Sequence, residues 1–321
     1  MPGTLCTGAT VSGVPQRVAA VDVGTNSVRL LVADPPRGGA GAPVAVRRQM
    51  TITRLGAGVD ATGRLDDVAL ARTLACIAEY ADRWRSDGAT RVRITATSAV
   101  RDAEDRGRFF DGVLARAGVA AEVLTGEQEA ATAFRGATAA VAGTPPWCVL
   151  DIGGGSTEVI RGSAAVEAAT SRQLGCVRLT ERCLHDDPPT RAQVEVATAV
   201  VAAELAAVER LVNPAAAATL VGVAGSVTTL AALHLGLERY EPDAIHGAVV
   251  PLESVRTLTE RLLGMPAAAR AALGPMAPGR EDVIAAGALI LLAVMERFGF
   301  PAVLASEADI LDGLALELLQ A

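Results

Sequence analysis

The sequence predicts an α/β protein made of two related domains that face each other across a cleft. Three observations carry this reading. The chain has 321 residues, beyond the size at which a single hydrophobic core keeps growing. Short apolar runs of strand type are interleaved with longer runs whose apolar positions recur every three or four residues. One local pattern also occurs twice, about a domain length apart. Ala19-Ala20-Val21-Asp22-Val23-Gly24-Thr25-Asn26-Ser27 aligns with Cys148-Val149-Leu150-Asp151-Ile152-Gly153-Gly154-Gly155-Ser156. In each copy an apolar strand delivers an aspartate, then come a glycine turn, a hydroxyl and a second apolar strand.

The elements follow in order. Residues 17–34 read as two strands joined by the first glycine turn, residues 35–43 as a Gly/Pro-rich loop, and residues 44–54 as a third strand. A helix is expected at 66–86, a buried strand at 92–96, a helix at 102–117 and a short strand at 122–124. Thr125 with Gln128 three residues on forms a capping box that opens the next helix. Residues 147–162 repeat the strand, turn, strand theme. Alanine-rich helices follow, notably 192–212, then a strand at 219–223 that runs into a helix at Ala-Gly-Ser-Val-Thr-Thr. Helices at 253–263 and 280–298, a strand at 303–305 and a helix at 310–319 complete the chain. The expected division is a flexible tail at 1–16, an N-terminal domain at 17–134 and a C-terminal domain at 135–306, with the closing segment 307–321 returning to the first.

Composition limits the function. Half the residues are hydrophobic and a fifth are charged, a globular balance with no sign of disorder. All 29 basic residues are arginine. A net charge of −7 argues against general binding to nucleic acid or to a membrane surface. A polyanionic ligand would then need a local cationic site, a metal ion, or both. Arg47, Arg48, Arg54, Arg91, Arg93 and Arg101 are candidates for the former. The five cysteines (Cys6, Cys76, Cys148, Cys176, Cys183) are odd in number and lack Cys-x-x-Cys spacing, which fits reduced thiols in a cytoplasmic protein. Cys183 and His185 complete no zinc set. Residues 1–16 lack the basic and apolar regions of a signal peptide, and the apolar run 283–295 is too short to cross a bilayer.

The paired turns point to phosphate chemistry. Glycine lets the backbone approach a phosphate, and successive N–H groups form an anion-binding nest. Gly24, Thr25, Asn26 and Ser27 in one turn, and Gly153, Gly154, Gly155, Ser156 and Thr157 in the other, are the candidate phosphate binders. Gly225 and Ser226, at the start of a helix, are a third candidate, although Ser226 could equally be a plain helix cap. Asp22, Asp151 and Glu158 would repel a phosphate unless a divalent cation lay between, so they are candidate ligands for Mg²⁺, which Mn²⁺ could replace, some of them through water. Hydrolysis also needs a base to orient and deprotonate water. Glu127 and Glu129 lie in the first turns of the capped helix and point to different faces. Spacing alone does not choose between them.

Seven motifs in order resemble the exopolyphosphatase/guanosine pentaphosphatase family: Asp-Val-Gly-Thr-Asn-Ser at 22–27, Leu-Gly-Ala-Gly-Val at 55–59, Ala-Thr-Ser-Ala-Val-Arg at 96–101, Gly-Glu-Gln-Glu-Ala at 126–130, Asp-Ile-Gly-Gly-Gly-Ser-Thr-Glu at 151–158, Leu-Gly-Cys-Val-Arg at 174–178 and Pro-Gly-Arg at 278–280. The resemblance covers nearly the whole chain. It implies an actin-like ATPase (ribonuclease H-like) superfold and Mg²⁺-dependent release of terminal orthophosphate from polyphosphate or guanosine pentaphosphate. It makes Glu129 the catalytic base, places Arg101 against a phosphate, and suggests a homodimer. Two departures stand out. Leu311 occupies a place where many members carry arginine. The chain also stops where longer members continue into helical domains, which suggests short polyphosphate chains and low processivity. The alternatives are a guanosine pentaphosphate 5′-phosphohydrolase, a small-molecule kinase of the same superfold, and a non-catalytic sensor of polyphosphate or alarmone.

Overall fold

The computed structural model describes residues 16–39 and 41–320. The tail expected at residues 1–16, apart from its last residue, and Cys6 with it, lie outside the described residues. The first half opens with β1 (Val18–Val23), β2 (Ser27–Asp34) and β3 (Val44–Ile52), an antiparallel meander. A single-turn helix α1 (Val59–Thr62) and the long helix α2 (Asp67–Ser86) follow, α2 being capped by Asp66, which accepts from Ala69 N–H at 2.8 Å. Then come β4 (Arg91–Ala96), α3 (Ser98–Asp102), α4 (Gly107–Ala117), β5 (Ala121–Val123) and α5 (Gly126–Ala140).

The second half repeats the plan. β6 (Trp147–Ile152), β7 (Thr157–Gly162) and β8 (Val166–Arg172) form a second antiparallel meander. Helices α6 (Cys176–Cys183) and α7 (Arg191–Val212) lead to β9 (Thr219–Val223), α8 (Ala224–His234), the short α9 (Pro242–Ile245) and β10 (Val249–Pro251). The chain ends with α10 (Leu252–Leu263), α11 (Ala267–Ala271), α12 (Ile284–Phe298), β11 (Ala302–Ala305) and α13 (Ile310–Gln320). The strand orders are β3-β2-β1-β4-β5 and β8-β7-β6-β9-β11-β10. The first five positions therefore correspond, with β10 added at one edge. The two related α/β halves expected from the sequence thus share one strand order.

Strand alternation divides each sheet between two cores. Ala19, Val21 and Val23 of β1 face outward onto α2 and α4, while Val18 and Ala20 face inward. Cys148, Leu150 and Ile152 of β6 likewise face outward, and Trp147 and Val149 inward. The inward faces share one central core with α5 and α13. Helix α13 packs on β1, β2 and β4, whereas α5 packs on β6, β7 and β8. The two helices cross closely because Gly136 and Gly313 carry no Cβ: one at Gly136 would overlap the Asp309 carbonyl, and one at Gly313 the Thr132 carbonyl. The domain boundary expected at 134/135 falls inside α5.

Several elements differ from the sequence reading. β8 was not expected because Val-Glu-Ala-Ala-Thr-Ser-Arg is an edge strand with a mixed, part-exposed pattern. Helix α6 and strand β10 are too short for periodicity to detect. The helix expected from 102 begins at Gly107, and α3 ends at Asp102 before it. Asp105 in the break accepts from Leu65 N–H at 3.0 Å, which ties that turn to the preceding loop. The helix expected from 280 begins at Ile284. Among the described residues no helix is long and apolar enough to cross a membrane.

Candidate active site

Both aspartates sit at the C-terminal ends of central strands, on the inward faces. Each is followed by the same turn. Gly24 N–H donates to Ser27 O at 2.9 Å, and Gly153 N–H donates to Ser156 O at 3.0 Å. The two turns converge on a cleft of about 80 Å³. Gly24, Thr25, Asn26, Ser27, Gly153, Gly154, Ser156, Gly225 and Ser226 line it, together with Asp22, Asp151 and Glu129. Two of the expected binders are turned elsewhere. Gly155 packs between the domains, where a Cβ would lie 2.6 Å from Ser98 Oγ. The Thr157 hydroxyl donates to Leu174 O. Ser226 is not a helix cap: the N-cap of α8 is Val223, and Ser226 lies within the first turn. Ala224, at that junction, holds φ +65°, a left-handed conformation that costs a non-glycine residue energy and clusters at functional sites.

The charges of the two copies are not alike, and the strand register explains why. Asp22 is paired across the ladder with Arg29, and Asp151 with Glu158. In the first copy Arg29 neutralises the aspartate, with Nη2 2.6 Å from Asp22 Oδ2, and its Nη1 reaches Asp309 at the start of α13. In the second copy the cross-strand neighbour is another acid. Burial raises the pKa of Glu129, Asp151 and Glu158 above the ordinary carboxylate range. For Glu129 and Asp151 the charge on Glu158 raises it further. Arg101 and Arg29 oppose the shift only in part. At and beside the cleft, buried carboxylates thus meet arginine charge that only partly offsets the cost of ionising them.

Glu129 is 7% exposed, whereas Glu127 faces solvent. The capping box explains the orientation: Thr125 Oγ1 accepts from Gln128 N–H at 3.2 Å, and the Gln128 side chain accepts from Thr125 N–H at 2.9 Å. This fixes the helix start and turns Glu129, with Ala130 and Ala133, to the inside. Arg101 Nη1 donates to Glu129 Oε2 and to Leu124 O, both at 3.1 Å. Arg101, which the resemblance sets against a phosphate, thus holds the Glu129 carboxylate and is not among the residues that line the cleft.

Two arginines that spacing did not single out take the cleft instead. Arg29 is one. Its position could have been read from the sequence, because a turn with Gly24 to Ser27 brings residue 29 opposite residue 22. The other is Arg280, 7% exposed. It donates to Gly225 O at 2.7 Å and Thr229 Oγ1 at 2.9 Å, and its Nη2 lies 3.3 Å from Met50 Sδ. All three partners are neutral. Burial lowers its pKa, and a desolvated cation on a cleft wall is a receptor for an anion. Gly225 makes room for it, since a Cβ there would overlap the guanidinium. The arginines proposed from sequence are mostly engaged elsewhere. Arg47 pairs with Asp87, Arg48 with Asp312, Arg54 with Asp282, and Arg93 with Glu122 and Glu317. Arg91 opens β4, at the far end from the cleft.

Among the described residues no three His, Cys, Asp or Glu side chains form a preassembled metal cage. Mg²⁺ does not need one. It keeps several waters and takes one or two protein carboxylates alongside substrate phosphates. The cleft offers that number. Asp22 Oδ1 is buried with no hydrogen-bond partner, and Asp151 lines the same wall. Glu158 does not line the cleft; it accepts from Ser171 Oγ at 2.5 Å and lies behind Asp151. Of the three expected ligands, Asp22 and Asp151 line the cleft and Glu158 does not. The four described cysteines are buried and unbridged.

The model of the Ppx/GppA phosphatase family matches residues 36–321. Exopolyphosphatase 2 of Mycobacterium tuberculosis is 48% identical over 313 residues, covering 94% of this chain and 98% of that protein. The crystal structure of an exopolyphosphatase-like protein superposes with a TM-score of 0.90 at 36% identity, covering 95% of this chain and 99% of that one. The Ppx/GppA family member of Aquifex aeolicus gives a TM-score of 0.80 at 31% identity, covering 95% and 98%. By family match, relatives and duplicated fold alike, this chain belongs to the Ppx/GppA phosphatase family.

Proposed function

We propose that this chain is an exopolyphosphatase, hydrolysing the terminal phosphoanhydride of inorganic polyphosphate and releasing orthophosphate. The observation that carries the reading is the convergence of two glycine turns, each with a strand-end aspartate, on one cleft that also holds the buried Glu129. The N–H groups of the two turns and the Arg280 guanidinium bind the terminal phosphate. Arg29 offsets the charge of Asp22 and so lowers the repulsion that the phosphate meets. Glu129 accepts a hydrogen bond from water and takes its proton as the oxygen attacks phosphorus. Arg101 holds that carboxylate in place. Asp22 Oδ1 and Asp151 would hold Mg²⁺, which would neutralise charge on the phosphoryl oxygens. Mn²⁺ is an alternative ion for the same ligands.

Phosphate release tests the reading, run side by side on short polyphosphate, long polyphosphate and guanosine pentaphosphate, with an EDTA control. Release from polyphosphate that EDTA abolishes is expected. Release from guanosine pentaphosphate alone would replace the substrate. Transfer to an acceptor without phosphate release would make the chain a kinase, and no turnover at all would point to a binding role.

A further inference from the structure

Arg178 lies on α6 with its side chain 11% exposed, and its whole guanidinium is used at the domain junction. Nε donates to Gly155 O at 2.8 Å, in the second glycine turn of its own half. Nη1 pairs with Asp60 of α1, and Nη2 donates to Asp102 Oδ2 at 2.7 Å. Both carboxylates belong to the other half. A planar fork with donors in several directions suits such a three-way tie, and an ammonium does not.

The tie leads to the base. Asp102 ends α3, and the residue before it is Arg101, which holds Glu129. The other end of α3 is Ser98, whose hydroxyl lies 2.9 Å from Thr25 Oγ1 and packs against Gly155. Both ends of this short helix therefore rest on the second glycine turn, one by direct contact and one through Arg178. The start of α6 is docked on the same turn. Cys176 N–H donates to Gly153 O and Val177 N–H to Gly154 O, each at 2.9 Å. Those bonds occupy two of the turn's carbonyls.

We infer that Arg178 is a positioning residue for the hydrolytic step. It locks α3 onto the second glycine turn, so that Arg101 and Glu129 stand at a fixed place relative to a phosphate held by that turn. The inference rests on the hydrolase reading above. Arg182 provides an internal comparison. One helical turn further on, it takes the same Asp60 with two hydrogen bonds, at 2.5 and 2.7 Å. Its side chain is 42% exposed and reaches neither the glycine turn nor Asp102. It is a rim ion pair of the kind that contributes little.

The test uses the full chain with Mg²⁺ and polyphosphate, comparing Arg178→Ala, Asp102→Asn, Arg182→Ala and the double variant Arg178→Ala/Asp102→Asn. Misplacing a catalytic group by about 1 Å costs up to about a hundredfold. Arg178→Ala should therefore lower kcat by tenfold to a hundredfold (order-of-magnitude) while KM stays close to wild type. Asp102→Asn should behave alike, the double variant should be no worse than Arg178→Ala, and Arg182→Ala should stay near wild type. Backbone amide exchange over residues 98–102 should quicken in Arg178→Ala. Equal losses in Arg178→Ala and Arg182→Ala, additive losses in the double variant, or unchanged kcat would overturn the inference. If wild type releases no phosphate, the hydrolase reading fails, and amide exchange then judges the tie: unchanged exchange over 98–102 rejects it. If Arg178→Ala does not fold, Asp102→Asn carries both measurements.

Discussion

Replacing Glu129 by glutamine takes one charge out of the cleft and keeps the shape of the side chain. Two consequences can be worked out. A positioned general base contributes about 10²–10⁴-fold to rate, so kcat should fall by that factor, equal to about 2.7–5.4 kcal/mol of lost transition-state stabilisation at 1.36 kcal/mol per decade. Stability should move the other way. Burial is the main cause that raises the Glu129 pKa, with Glu158 adding to it and Arg101 opposing. A carboxylate whose folded pKa is raised holds its proton more tightly in the folded chain. Stability is then undiminished below the ordinary glutamate value and is lost as pH rises through the folded pKa. In EDTA, wild type and Glu129→Gln should therefore unfold at similar temperatures in acid, and the variant at a higher temperature near neutral pH. The assays are phosphate release with Mg²⁺ and thermal unfolding across pH in EDTA. Near-normal turnover in the variant would remove Glu129 as the base. Lost turnover with a lower melting temperature at neutral pH would make its role structural.

Three further outcomes are expected. Arg280→Ala should lower kcat/KM for polyphosphate about tenfold to a hundredfold, the value of a charge-assisted hydrogen bond of about 1.5–3 kcal/mol; unchanged kcat/KM would mean that the buried cation meets no phosphate. Gly313→Ala should destabilise the chain by about 1–3 kcal/mol through overpacking against the Thr132 carbonyl, less about 1 kcal/mol regained in helix propensity. The readout is a lower urea midpoint at unchanged slope, and a raised midpoint would show that α5 and α13 can part freely. Adding Mg²⁺ should raise the melting temperature, by about 2.7 kcal/mol of stability at a hundredfold excess over Kd. Asp151→Asn should abolish that rise, and an undiminished rise would take Asp151 out of the metal site.

The duplicated strand, turn, strand units were legible in the sequence because they are local. Alternation along Val18–Val23 and Trp147–Ile152 places both aspartates on inward faces, and a glycine turn follows each one. The capping box at Thr125 and Gln128 was equally plain, since both its hydrogen bonds close over three residues. Residue spacing did not tell Glu127 from Glu129; the family resemblance did, and in the structure Glu129 is the one turned inside. Arg29 lay within reach of the turn geometry, yet a part-buried arginine in an apolar strand gives no local signal of its own. Arg280 stood in the family motif at 278–280, but residue spacing gave it no role. Its meaning depends on Gly225, Thr229 and Met50, which lie 55, 51 and 230 residues away. The same holds for the mutual repulsion of Glu129, Asp151 and Glu158. Local hydrogen bonding and side-chain alternation decided where each aspartate and glycine turn would stand. Which charges share a desolvated cleft is a question of distance between remote segments, and only the packing of two sheets around α5 and α13 brings those segments together.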